Sequence, residues 1–224
     1  MTKFAAIVLT LLLAATLQVE AVTTSNAGAG TIYKLQVVKD ITLERAGTNW
    51  NNLEYLIVGL HPGFPKKRSL LQFEDLPSNC TTLHWAKMYL YYVYSHKASY
   101  QSIQQVPFIS RNLKVHQVTK DWEENQATST IRKTGVPWSK PYLDLNGGDA
   151  KKKALDNVTI YISRPRGFVE FDITRAIRRW KKGQPNYGVV IWATNEDTPG
   201  RDTRFASNAS SDTNTHAYVN VFCD

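Results

Sequence analysis

Apolar and polar positions alternate with a period of two in segment after segment of this chain. Between residues 86 and 94, Ala86, Met88, Leu90 and Tyr92 make one set and Lys87, Tyr89, Tyr91 and Val93 the other. Successive side chains of a strand point to opposite faces, so the first set predicts a core face and the second leaves two tyrosines on the far side of the sheet. Residues 32–38, 55–60 and 69–73 are likewise short, rich in β-branched or aromatic side chains, and bounded by Gly, Pro, Asn or Asp. The same signals predict strands at 112–117, 159–162, 168–172, 188–193 and 218–223. Many short strands joined by polar turns predict an all-β protein, a β-sandwich or jelly roll, rather than alternating βαβ units.

One segment breaks the period. Ile173, Ala176, Ile177 and Trp180 recur at helical spacing, with Asp172 or Thr174 as N-cap and Gly183 and Pro185 beyond the end, which predicts one short amphipathic helix over 173–182. Its polar face carries Arg175, Arg178 and Arg179, followed by Lys181 and Lys182, which suit the negative end of the helix dipole.

The first residues follow a third pattern. Lys3 precedes an almost wholly apolar run at 4–17, and Val19-Glu20-Ala21 has the small residues of a cleavage site, which predicts a secretory signal peptide at 1–21. The run is too short for a membrane-spanning helix. Residues 22–30, rich in Ala, Gly, Thr and Ser, are expected to form a flexible lead-in, and 31–224 a single domain. Secretion to the extracellular space changes how the two cysteines read. In an oxidising compartment Cys80 and Cys223 are expected to form one disulfide, with buried free thiols or an intermolecular bridge as alternatives. Asn79, Asn157 and Asn208 each open an N-glycosylation sequon.

Composition narrows the class. With 42% hydrophobic and 21% charged residues among 224, the chain can bury a core, and its net charge of +8 favours anionic partners. Secretion argues against nucleic acid.

Several stretches, taken together, point to a family. Arg68-Ser69-Leu70-Leu71-Gln72-Phe73, residues 86–92, Val118-Thr119-Lys120-Asp121-Trp122-Glu123-Glu124, Phe171-Asp172-Ile173-Thr174 with Trp180, Gly183, Asn186, Tyr187 and Gly188, and Phe205-Ala206-Ser207 before a closing strand resemble, in this order, the DNRLRE family of secreted modules. The resemblance implies a jelly-roll fold of the carbohydrate-binding-module kind, with members that bind acidic polysaccharides such as alginate. The chain departs from the family pattern at Ala127-Thr128-Ser129, where an aromatic residue is missing.

No Gly-x-Ser-x-Gly elbow, His-Glu-x-x-His helix or phosphate loop occurs, and His61, His84, His96, His116 and His216 are scattered singly. Asp121, Glu123 and Glu124 flank Trp122, but neighbouring residues of a strand face opposite ways, so an enzyme is not expected. Binding suits the residues better. Lys66-Lys67-Arg68, Lys151-Lys152-Lys153 and Arg178-Arg179 form basic clusters that would attract a polyanion, and Tyr89, Tyr91 and Trp138 offer rings on which a sugar can lie. Trp122, Trp180 and Trp192 are read as core. Asp149, Asn195, Asp197 and Asp202 are the candidates for a structural calcium ion, though Asn, Asp and Gly at these places also make turns. The expectation is a secreted, non-catalytic protein for acidic polysaccharide or matrix glycans. A structural matrix or biomineral protein is the alternative, and a polysaccharide-degrading enzyme the weaker one.

Overall fold

The computed structural model describes residues 21–22, 30–61, 63–95, 110–197 and 201–224. Residues 1–20 of the expected signal peptide, 23–29 of the expected lead-in, and His96 lie outside the described residues. In chain order the strands are β1 (Ala21–Val22), β2 (Thr31–Leu43), β3 (Tyr55–Leu60), β4 (Lys66–Phe73), β5 (Leu83–Ser95), β6 (Ser110–Gln117), β7 (Ile131–Lys133), β8 (Val136–Pro137), β9 (Asp156–Tyr161), β10 (Gly167–Asp172), β11 (Val189–Ala193), β12 (Arg201–Ala206) and β13 (Tyr218–Cys223). The helix α1 (Thr174–Lys181) lies between β10 and β11.

The protein is all-β with one short helix. Six strands close a barrel in the order β2-β13-β5-β12-β3-β4, because β2 pairs with both β13 and β4. Further strands extend it: β10 joins β5, β1 joins β2, and β11, β6 and β9 continue outward from β4. Ala21 and Val22 pair with Tyr33 and Ile32 as the two-residue strand β1. The main core gathers Met88, Leu90, Val169, Phe171 and Val221 from β5, β10 and β13, and Leu71, Val115, Val189 and Ile191 from β4, β6 and β11. Burial of each such side chain stabilises by about 1.5–3 kcal/mol. Ala86, Met88, Leu90 and Tyr92 all face this core, as their alternation predicts.

One central strand, and the second part of another, escaped the hydrophobic pattern for a physical reason. β12 is central, paired to β3 and β5, yet reads Arg-Asp-Thr-Arg before Phe205. Its Thr203 is fully buried, with its hydroxyl 3.0 Å from that of Ser95, so hydrogen bonding replaces apolar packing there. β2 runs five residues past the expected end at 38, because a bulge between Val37 and Lys39 carries the strand from β13 to β4. There the buried Asp40 accepts the Asn208 amide at 2.7 Å.

The helix is as expected in place but not in its cap. Ile173 occupies the N-cap position and has no capping side chain, while Asp172 Oδ1 accepts the Thr174 amide at 2.9 Å. Gly183, at φ +86°, ends the helix. The Cys80–Cys223 disulfide is formed, closing a sequence separation of 143 residues.

Candidate functional site

Alternation along β4, β6 and β11 sends a second set of side chains away from the main core. Leu70 and Arg68 on β4, Lys114 and His116 on β6, and Val190 and Trp192 on β11 belong to this set. Gly188 immediately precedes β11, where a Cβ would lie 1.9 Å from the Leu71 carbonyl oxygen, so only glycine lets this strand sit against β4. Residues 118–155 then leave the sheet and fold back over its outer face. Trp122, Ala127, Trp138, Leu143 and Ala150 cover Leu70 and Val190 and make a second core. The cover stops short of Trp192. What remains is a cavity of about 440 Å³ between the sheet and the returning chain, lined among others by Trp192, Lys114, His116, Lys140 and Lys152.

Trp192 is half-buried and forms the floor. The Arg68 guanidinium carbon lies 5.6 Å from its ring centre, the Lys114 ammonium 6.0 Å, and the His116 ring 6.1 Å. Its indole Nε1 has no hydrogen-bond partner among the described residues. Lys114 and Lys152 have no carboxylate partner there either, whereas Lys140 approaches Asp144 at 3.6 Å. The Asn146 amide, donating to Asp144, holds that carboxyl below its usual range, so it stays ionised.

His116 is 4% exposed. Its Nδ1 lies 2.8 Å from the Lys151 carbonyl oxygen, which can only accept, so Nδ1 carries the proton. Burial pushes its pKa below 6.5, and Lys114 and Arg68 push the same way against the Lys151 hydrogen bond. The neutral ring leaves Nε2 as a buried acceptor without a partner among the described residues, a group that favours a donor or a proton.

The residues expected from sequence to bind a ligand divide sharply. Arg68 lines the cavity but is an internal anchor: Nε and Nη2 donate to Glu196 at 2.9 and 2.6 Å, and Nη1 donates to the Tyr142 and Leu143 carbonyls. Lys67 is buried against Glu44 at 3.3 Å, and Lys66 pairs with Glu196 and Asp197. All three charges of the 66–68 cluster are met by carboxylates, those of Lys67 and Arg68 inside the fold and that of Lys66 at its half-buried edge. Trp138 is 4% exposed and donates Nε1 to the Thr128 carbonyl, so it is core of the folded-back segment rather than a sugar platform. Of Lys151, Lys152 and Lys153, only Lys152 lines the cavity. Arg178 and Arg179 lie on α1 and donate to the His84 carbonyl and Gln117 Oε1.

Tyr89 and Tyr91 are half-buried on the outer face of β10-β5-β13-β2, away from the cavity. There Tyr89 stacks on Tyr218 at 5.0 Å, and Phe168 meets Tyr91 and Tyr218 edge-on, each at 5.3 Å. Asn79, Asn157 and Asn208 are all exposed.

Asp149 is 1% exposed and closes a turn, accepting the Ser139 amide and hydroxyl and the Asp144 amide. Asp202 is buried with Arg204 Nε 3.7 Å away, and Asp197 is engaged by Lys66. Among the described residues no three His, Cys, Asp or Glu side chains form a group that could hold a metal ion.

Comparison with known proteins adds no family. No protein-family model matches the chain, and no curated protein does. The cavity therefore has to be read from its own chemistry. Trp192, Lys114, His116 and Lys140 were not singled out by sequence as ligand contacts. The Leu113-Lys114-Val115-His116 alternation marks an outward cation and imidazole, but the pairing that sets them beside Trp192 links residues nearly 80 positions apart.

Proposed function

We propose that this is a secreted, non-catalytic binding protein for acidic polysaccharide or matrix glycans, built as a jelly-roll β-sandwich of the carbohydrate-binding-module kind. One observation carries the reading: an aromatic floor, Trp192, the His116 imidazole and two ammonium groups, Lys114 and Lys152, with no carboxylate partner among the described residues, converge on one cavity. A sugar ring lies flat on an indole, and its carboxylate or sulfate meets the lysines. Asp144 is the single carboxylate among the described lining residues, and hydrolysis of a glycosidic bond ordinarily needs two.

The test is a pull-down or titration with acidic and neutral polysaccharides at rising salt. Trp192→Ala should weaken binding by about tenfold or more, in line with the loss of about 1–3 kcal/mol on removing a stacking ring. Lys114→Ala with Lys152→Ala should flatten the salt dependence. Equal binding by wild type and Trp192→Ala would refute this use of the cavity, and release of reducing sugar would refute the non-catalytic reading.

A further inference from the structure

The opposite face of the molecule carries a second surface. Two rows of side chains cross it: Asp172–Lys87–Asn220–Lys34 and Glu170–Tyr89–Tyr218–Gln36, in the strand order β10, β5, β13, β2. Trp85 and Phe222 extend it at one end, Tyr91 and Phe168 at the other. The rings are half-buried by packing on one another. Lys87 lies 3.3 Å from Glu170 and 3.2 Å from Asp172, and Lys34 sits over the Tyr218 ring at 4.4 Å.

Two lysines and two carboxylates make this surface neutral on a chain of net charge +8. A polyanion gains little here. Two copies of the chain, which repel each other over most of their surface, can approach here without that penalty. The charges are also ordered, acidic at the β10 edge and basic at the β2 edge. A two-fold axis along the strands, between two copies packed face to face, exchanges those edges. It sets Asp172 of each copy opposite Lys34 of the other, and Tyr89 opposite Tyr218.

We propose that this face is the interface of a symmetric homodimer. Four strands at about 4.8 Å spacing and four outward positions along β5 give a patch of roughly 500 Å² per copy. About 1,000 Å² in total is the lower bound for a specific contact, so the dimer is concentration-dependent rather than obligate. Pairing here leaves both Trp192 cavities on the outer sides. On the reading of the cavity given above, the dimer holds two polymer chains at once, with a gain in avidity.

Sedimentation of the secreted chain without polysaccharide, from micromolar to millimolar concentration, tests the dimer apart from the cavity reading. The expected result is a mass rising towards twice the monomer. Lys34→Glu, an exposed side chain whose loss spares the core, should raise the dissociation constant about tenfold by turning two attractions into repulsions. Lys34→Glu combined with Asp172→Lys should recover part of the loss. A monomer throughout the range overturns the proposal, as does association that Lys34→Glu leaves unchanged. Loss of polysaccharide binding with dimerisation intact would instead refute the cavity reading alone.

Discussion

Asp40 gives the most quantitative test of these packing arguments. It is 2% exposed, accepts the Asn208 amide at 2.7 Å, and donates its own amide to Glu124 at 2.8 Å. Burial raises its pKa from 3.8 to about 6; the Asn208 hydrogen bond opposes the rise, the Glu124 charge adds to it, and His216 opposes it. The unfolded chain titrates near 3.8. Between that value and about 6 the folded state holds more protons, so this group makes the fold less stable as pH rises through the window. The gap corresponds to about 3 kcal/mol, a penalty fully present above pH 6 and gone below 3.8.

Asp40→Asn removes the charge and keeps an oxygen to accept the Asn208 amide. Denaturant unfolding of both proteins from pH 4 to 8, disulfide intact, should show the variant more stable by up to about 3 kcal/mol at pH 7.5 and the difference closing towards pH 4. Asp121, Asp144 and Asp172 have lowered pKa values, so they contribute stability that is lost in acid; they are common to both proteins and cancel in the difference. Parallel curves across the range, or a gap that widens towards acid, would show that Asp40 carries no buried charge.

His116 yields a test of opposite character. Its imidazole gains a proton only below its usual 6.5, so affinity for a polyanion should rise as pH falls through that region, and His116→Gln should remove the rise in a titration series. Glu196→Gln leaves the buried Arg68 guanidinium without its counter-charge and should cost about 3–5 kcal/mol in unfolding free energy, since Arg68 also holds the Tyr142 and Leu143 carbonyls. Replacing Cys80 and Cys223 together by Ser opens a loop of 143 residues and should lower stability by up to about 5 kcal/mol, readable as a fall in the denaturation midpoint.

Strands whose two faces differ in polarity were legible in the chain. β3 matches the expectation at both ends, and β5 displays its core set without exception. β12 was hidden because Asp202 and Thr203 are buried polar residues, and local hydrophobicity does not register hydrogen-bonded burial. The site was less visible for the same kind of reason. Lys66-Lys67-Arg68 has the composition of a surface patch, but its partners Glu44 and Glu196 are distant in sequence. Trp138, expected as an exposed ring, is buried by the folded-back segment, and Trp192, expected in the core, is only half-buried because that segment stops before it. Tyr89 and Tyr91, chosen from strand alternation alone, do lie on the outer face.

The placement of the disulfide has a mechanical consequence. Thr31 at the start of β2 faces Cys223 at the end of β13 across an antiparallel ladder. A pull between these two points opens the ladder rung by rung, in the manner of a zip. Cys223 is also tied to Cys80, so the line of tension runs only through the stretch from 31 to 80. Residues 81–222, with Lys114, His116, Lys152 and Trp192 among them, hang outside that line. Under such a pull the chain lengthens by one segment while the remainder, with its cavity, carries no load.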